Sequence, residues 1–393
     1  MRRVLFITWD GPQARYLETL FLPIFARLRE QGYAFHVLQF TWGDRERIAE
    51  TATACEALGI PYRKRHIWRG GGAAGPFLSA LLGARQIARA ARSWQIDILM
   101  PRGLMPALAT LTLRPRERFQ IVFDADGLPA DERVDFAGLS PHSLAYRLLR
   151  DTEAEMVRAA DRVLTRTSDA VAILSARAGA GNEVAKFHVV SNGVDPERFL
   201  HARAAITSPE EDAPFRLCFC GSFGEKYCPE TMLGLATRLR RTLPDLEFRI
   251  FTPDLGRARQ YLRAGGLENA DWIALASLRP QEVPGALAQC DLGFALVKAT
   301  FSTRSVVAIK IGEYLLAGVP VICTSGVAGA QDLPESDVVY SRSVDDTDAL
   351  MAWLERLRAK GKNQVREECQ ALGLAHFGID ATVRRYAAAL AQL

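Results

Sequence analysis

Short apolar runs alternate with amphipathic helical stretches along almost the whole chain, and the alternation is played twice. Runs rich in Val, Ile, Leu and Phe at residues 3–8, 34–40, 96–100, 120–123 and 162–165 predict buried strands. Between them, residues 16–31, 49–58, 78–94 and 153–160 predict helices, with Gly32 and Gly59 closing the first two. The order resumes later, with strands expected at 215–220, 247–251, 271–273, 292–296 and 319–323 and helices at 229–242, 257–264, 280–290, 344–360 and 380–393. Strand–helix–strand order of this kind predicts an α/β chain with doubly wound parallel sheets. At 393 residues the chain is too long for one ordinary core and suits two domains, 1–200 and 201–378 followed by a terminal helix at 379–393. The polar, acidic stretch 202–213 is the expected linker.

Composition excludes several classes. Charged residues at 24% and hydrophobic residues at 49% belong to a globular chain, not a disordered or fibrous one. No apolar run approaches the ~18 residues that span a bilayer. Met1-Arg-Arg leads straight into a strand-like VLFIT, so a cytoplasmic protein is expected. The seven cysteines are scattered; Cys218, Cys220, Cys290 and Cys323 lie in apolar runs and read as small buried hydrophobes, and Cys218-x-Cys220 lacks a second pair at zinc spacing, so no metal site is expected. The positive excess lies in residues 1–200, at +5 against −1 for 201–393, which suits an anionic lipid or acceptor rather than nucleic acid.

One segment narrows the function. Residues 310–322, KIGEYLLAGVPVI, read as a helix, a glycine stop at Gly318, a turn at Pro320 and a buried strand. Glu313 is expected just inside the helix start, at the mouth of a parallel sheet, where a carboxylate can accept from ligand hydroxyls. About 120 residues upstream, VVSNGVDPERF (189–199) reads as a strand, a Ser-Asn-Gly turn and a helix opened by Asp195 and Pro196.

The two segments together resemble the retaining GT-B glycosyltransferases of family four. The resemblance implies two Rossmann-like domains with a cleft between them, and a terminal helix packing back on the first. It implies transfer of a sugar from a nucleoside-diphosphate-sugar to a glycan, lipid-linked or small-molecule acceptor, with no separate cofactor and no metal. Glu313 then holds the donor ribose. Lys310, one helical turn earlier, and Lys226, five residues after the strand-end Gly221, are the cations expected at the leaving diphosphate, with Ser222, Arg304 and the backbone of 301–306 as further donor contacts. The family commonly carries a second glutamate eight positions before the first; here that position is Ser305, which can hydrogen-bond a donor sugar but cannot bring charge.

In the first half the same rule, that ligands meet the carboxyl ends of strands, singles out Asp10 and Gly11, Arg102, and the DADG loop with Asp124 and Asp126. Asp126 is the expected acceptor-activating or acceptor-binding group, Asp10, Arg102 and Asp124 its acceptor-side neighbours, and Gly11 lets backbone approach the donor. Many family members place a His or Arg in this loop, and this chain does not. Arg63-Lys64-Arg65 and Arg85, Arg89 and Arg92 form basic clusters, the last three on one helix face, which predicts peripheral contact with a membrane. Two other readings stay open: a nucleotide-sugar epimerase of the same fold, and an inactive protein that only binds sugar nucleotides.

Overall fold

The computed structural model describes residues 1–11, 15–70, 74–114, 118–204 and 213–393. Most of the expected linker, residues 205–212, and positions 71–73 of the glycine-rich GGGAAG stretch lie outside the described residues. The chain divides into two units, Met1–Gly193 with Thr382–Leu393, and Val194–Ala381.

In the first unit seven strands form one parallel sheet: β1 (Arg2–Asp10), β2 (Tyr33–Thr41), β3 (Tyr62–His66), β4 (Ile98–Pro101), β5 (Gln120–Asp124), β6 (Arg162–Thr165) and β7 (Phe187–Val189). Their order is β3-β2-β1-β4-β5-β6-β7. The direction of winding reverses between β1 and β4, and such a reversal opens a crevice beyond the carboxyl ends of the two strands. Ile7 of β1 stands beside Pro101 of β4, so Asp10 and Arg102 leave the sheet at that switch point. β3 was not expected as a strand: its YRKRH carries too little apolar character, which an edge strand tolerates because one side faces solvent. The helix Ala74–Trp94 starts four residues before the predicted position, taking in Gly75 and Pro76.

In the second unit six parallel strands follow the same plan: β8 (Arg216–Cys220), β9 (Glu247–Phe251), β10 (Ile273–Ala276), β11 (Leu292–Ala295), β12 (Val321–Cys323) and β13 (Val339–Tyr340). The order β10-β9-β8-β11-β12-β13 puts the switch point between β8 and β11. Gly221 follows the first of these, and Val297 comes soon after the second.

One aromatic ring fixes the helix that carries Glu313. Tyr314 is fully buried; its hydroxyl accepts from the Cys220 backbone N–H at 2.8 Å and donates to the Phe294 carbonyl at 3.2 Å. The helix Ile309–Leu316 is thereby tied to the ends of both switch-point strands. The ring lies on Gly293, where an added Cβ would come within 2.7 Å of it. On the far side, the helix Lys362–His376 approaches closely because Gly373 has no side chain: a Cβ there would meet the Leu316 backbone nitrogen at 3.0 Å. Gly293→Ala therefore overpacks the sheet and is expected to cost about 1–3 kcal/mol. A lowered thermal midpoint checks this; an unchanged midpoint would mean that Tyr314 is free to shift.

Candidate functional site

The second unit brings two of the expected residues together beside its switch point. The helix begins at Ile309, with Ala308 as its cap, so Glu313 is its fifth residue and lies outside the first turn. The expected place of Glu313, just inside the helix start, is corrected: its neighbours are Lys310, one turn earlier on the same face, and Arg198 from the NGVDPERF segment. Glu313 stays half-buried while the rest of its turn is buried. Burial pushes its carboxyl above the usual carboxylate range, and Lys310 and Arg198 pull it back. Arg198 was missed in the sequence, although the motif that contains it had been singled out.

Lys310 is buried, and among the described residues its ammonium has no hydrogen-bond partner. It lies 4.0 Å from the centroid of the Phe219 ring and 3.9 Å from that of Tyr227, so two aromatic faces stand against the charge. Its tip also rests against Gly221, whose φ of 137° favours glycine and where a Cβ would stand 3.0 Å from Nζ. Burial lowers the Lys310 pKa to about 7, partly opposed by Cys220 and Glu313. An ammonium this poorly compensated, at the carboxyl end of a switch-point strand and next to bare backbone, is prepared for an anion.

The remaining donor-side candidates are placed differently. Ser222 is exposed, and its hydroxyl donates to Asp254 at 2.7 Å, a carboxylate that also accepts the Phe223 backbone N–H. Lys226 sits in a single 3-10 turn, Glu225–Tyr227, and its carbonyl accepts the Lys298 backbone N–H at 2.7 Å. Ser305 is fully buried, its hydroxyl donating to the Ser302 carbonyl at 2.7 Å. Arg304 lies over the Phe301 ring, and its carbonyl accepts from Gln331. Residues 301–306 do not run into a helix: a 3-10 turn, Ser302–Ser305, gives way to extended Val306 before the helix start at Ile309.

In the first unit the acceptor-side candidates Asp10, Arg102, Asp124 and Asp126 fall into one ionic cluster. Asp124, fully buried at the end of β5, accepts from Arg166 Nη2 through both oxygens, at 2.8 and 2.9 Å. Asp126 bonds to Arg102 and lies 3.7 Å from Arg166. Its φ of 56° is left-handed, so the chain turns sharply between the two carboxylates. Arg102 also stands 4.0 Å from Asp124. Asp10 is buried, accepting from Thr8 at 2.8 Å and Gln39 at 3.1 Å, and burial raises its pKa against the pull of Arg102. Tyr386, buried beside Arg166, has its phenol pushed up by the same loss of solvent. The two carboxylates of the D-x-D pair thus face guanidinium groups. What approaches Gly11 is the Trp42 ring, 2.8 Å from where a Cβ would be.

Arg166 was missed. It is the first residue after β6, and the strand-end rule applied to that strand would have found it. Among the described residues its Nε and Nη1 have no hydrogen-bond partner although the side chain is buried. The arrangement holds one partly exposed carboxylate, Asp126, in a fixed direction at the switch point.

Residues 17–198 match the family model described as Glycosyltransferase Family 4, in line with the resemblance carried by the motifs. Among curated proteins, none matches this chain. Solved structures align along the full length. HepE from Anabaena, solved with UDP, is 16% identical over 100% of both chains with a TM-score of 0.71. Sucrose-phosphate synthase from Thermosynechococcus elongatus is 14% identical over 100% of this chain and 99% of its own, at 0.69. The lipopolysaccharide outer core galactosyltransferase WaaB is 15% identical over 100% of both, at 0.67. The fold is therefore GT-B, two Rossmann-like units.

Proposed function

From the GT-B fold and the convergence of Lys310 and Glu313 at one switch point, we propose that this enzyme is a glycosyltransferase that takes its sugar from a nucleoside-diphosphate-sugar. The observation that carries the reading is the buried ammonium of Lys310, without a hydrogen-bond partner among the described residues, against Gly221 and one turn from Glu313. Glu313 accepts from the two vicinal ribose hydroxyls. Lys310 neutralises the diphosphate, whose charge grows as the glycosidic bond breaks, so its interaction strengthens toward the transition state and raises turnover. The transfer retains anomeric configuration: the acceptor attacks from the face the diphosphate leaves, and the diphosphate helps to take the acceptor proton. Asp126 orients the acceptor hydroxyl. No metal takes part, and the acceptor is a glycan, a lipid-linked sugar or a small molecule. Uridine diphosphate is the first nucleotide to test, since HepE was also solved with UDP-glucose.

A thermal-shift panel of nucleoside diphosphates and their sugars tests the reading, because a ligand of the folded state raises the melting point by mass action. One nucleotide is expected to stand out. Glu313→Gln, which keeps the volume and removes the charge, should weaken that nucleotide about 10- to 100-fold, the worth of hydrogen bonds to an ionised acceptor. An unchanged shift would remove Glu313 from the site. A new sugar nucleotide formed from donor alone would mark an epimerase instead.

The pH dependence has a defined sign. Free Lys310 loses its proton near pH 7, and a diphosphate binds the protonated form. Nucleotide binding should therefore take up a proton, and affinity should fall by up to about tenfold per unit above pH 7. Calorimetry in two buffers of different ionisation enthalpy measures the uptake; identical heats at pH 8 would contradict it.

A further inference from the structure

Beyond the transfer reaction, we propose that the first unit carries a docking surface for an anionic lipid bilayer, built on the helix Ala74–Trp94 and the edge strand β3. The helix buries Ala80, Ile87, Ala90 and Ala91 and leaves Leu78, Leu81, Leu82, Arg85, Arg89 and Arg92 exposed. Those spacings draw a single stripe, ~20 Å long at 1.5 Å per residue, with leucines at one end and arginines at the other. The three leucines are each about half exposed. Trp68, 55% exposed, is held against the leucine end by its backbone N–H, which donates to Ser79 Oγ at 3.0 Å. At the arginine end Arg63 of β3 stacks on Trp94 at 4.3 Å and donates to Ser93, which brings the strand's cations to the same edge.

Two further observations separate this surface from routine exposure. Residues 57–96 contain seven Lys and Arg and no Asp or Glu, leaving −3 for the rest of a chain whose total is +4. A solvated helix face normally interleaves both signs. The apolar end also has a neighbour: Tyr146 and Leu149 of the helix Leu144–Ala159 share a buried cluster with Phe77 and Ala80, and Leu144 (77% exposed) and Leu148 lie beside them in sequence, facing solvent.

Charge complementarity selects the occupant. A second copy pairing through a two-fold axis would set arginines against arginines or against leucines, with no acid in the segment to relieve them. A soluble polyanion would use the arginines and leave the leucines in water. A bilayer with anionic headgroups uses both, apolar side chains entering the interface while guanidinium groups meet phosphate. Among the described residues no helix is long and apolar enough to cross a membrane, so the contact is peripheral.

Vesicle partition of the full chain tests this and reads no turnover, so its outcome is independent of the transferase reading. Equimolar phosphatidylcholine and phosphatidylglycerol vesicles should bind the protein at least tenfold better than phosphatidylcholine alone. Replacing Arg85, Arg89 and Arg92 together by Gln should cost about 100-fold, roughly fivefold per cation near an anionic surface. Replacing Leu78, Leu81 and Leu82 by Ser should also lower partition, and should abolish the fraction that survives high salt. All six residues are exposed, so unchanged thermal midpoints are expected and serve as the folding control. Partition unaffected by either triple change would overturn the proposal. So would heparin binding that depends on the arginines without vesicle binding, or a dimer that the leucine changes convert to a monomer.

Discussion

Replacing Lys310 by Met should move two measurements in opposite directions. Turnover should fall about 10²- to 10³-fold, the range seen when one preorganised charge-stabilising group is removed from a transition state. The thermal midpoint without nucleotide should rise, because Met fills the space between Phe219 and Tyr227 and no ammonium need be buried there. The gain is about 1–3 kcal/mol, the usual burden of an unsatisfied buried polar group. Its pH dependence follows from the depressed pKa. The unfolded lysine holds its proton up to about 10.5 and the folded one only to about 7. Between these values the unfolded state binds more protons, so wild-type stability rises with pH across that interval. The advantage of Met should therefore be largest below pH 7 and fade toward pH 10.5. Melting curves at pH 6.5 and pH 9.5 with a donor-turnover assay measure both effects. If the variant melted lower and turned over normally, Lys310 would be a structural lysine and the donor site would lie elsewhere.

The second large effect is expected at Arg166. Both oxygens of fully buried Asp124 accept from its guanidinium, so Arg166→Met takes away both hydrogen bonds, leaves only the more distant Arg102 to face the carboxylate and should cost about 3–5 kcal/mol. Asp126 would lose one of its two cationic neighbours in the same step. Adding Asp124→Asn should recover a large part of the stability, because the buried charge is gone. Chemical denaturation of the two single variants and the double variant gives the coupling directly. If the double variant is as unstable as Arg166→Met alone, the loss comes from packing, and the ion pair is not what holds the DADG loop.

The central strands were legible in sequence because a parallel strand covered on both faces must be apolar throughout. Arg162–Thr165 and Glu247–Phe251 fall where expected. β3 was not legible, since an edge strand with one side in water needs no apolar pattern and its Arg63, Lys64 and Arg65 read only as a charge cluster. The helix Lys362–His376 was hidden for another reason: its packing on the Glu313 helix depends on what Gly373 lacks, and a missing side chain leaves no hydrophobic signature. Within the candidate site, the proximity of Lys310 and Glu313 follows from helical spacing and could be read directly. The aromatic pair around Lys310, the turning inward of Ser305 and the pairing of Arg166 with Asp124 depend on contacts between residues far apart in the chain, which no local pattern records.

The strut formed by Tyr314 bears on how this protein could be re-engineered. Because a single phenol fastens the Glu313 helix to two strands, that helix behaves as part of the framework. A library aimed at a different donor should therefore hold positions 293 and 314 constant and diversify the short segments after β8 and β11. On the proposed reading, changes there reshape the surroundings of the sugar while leaving intact the helix that carries Glu313.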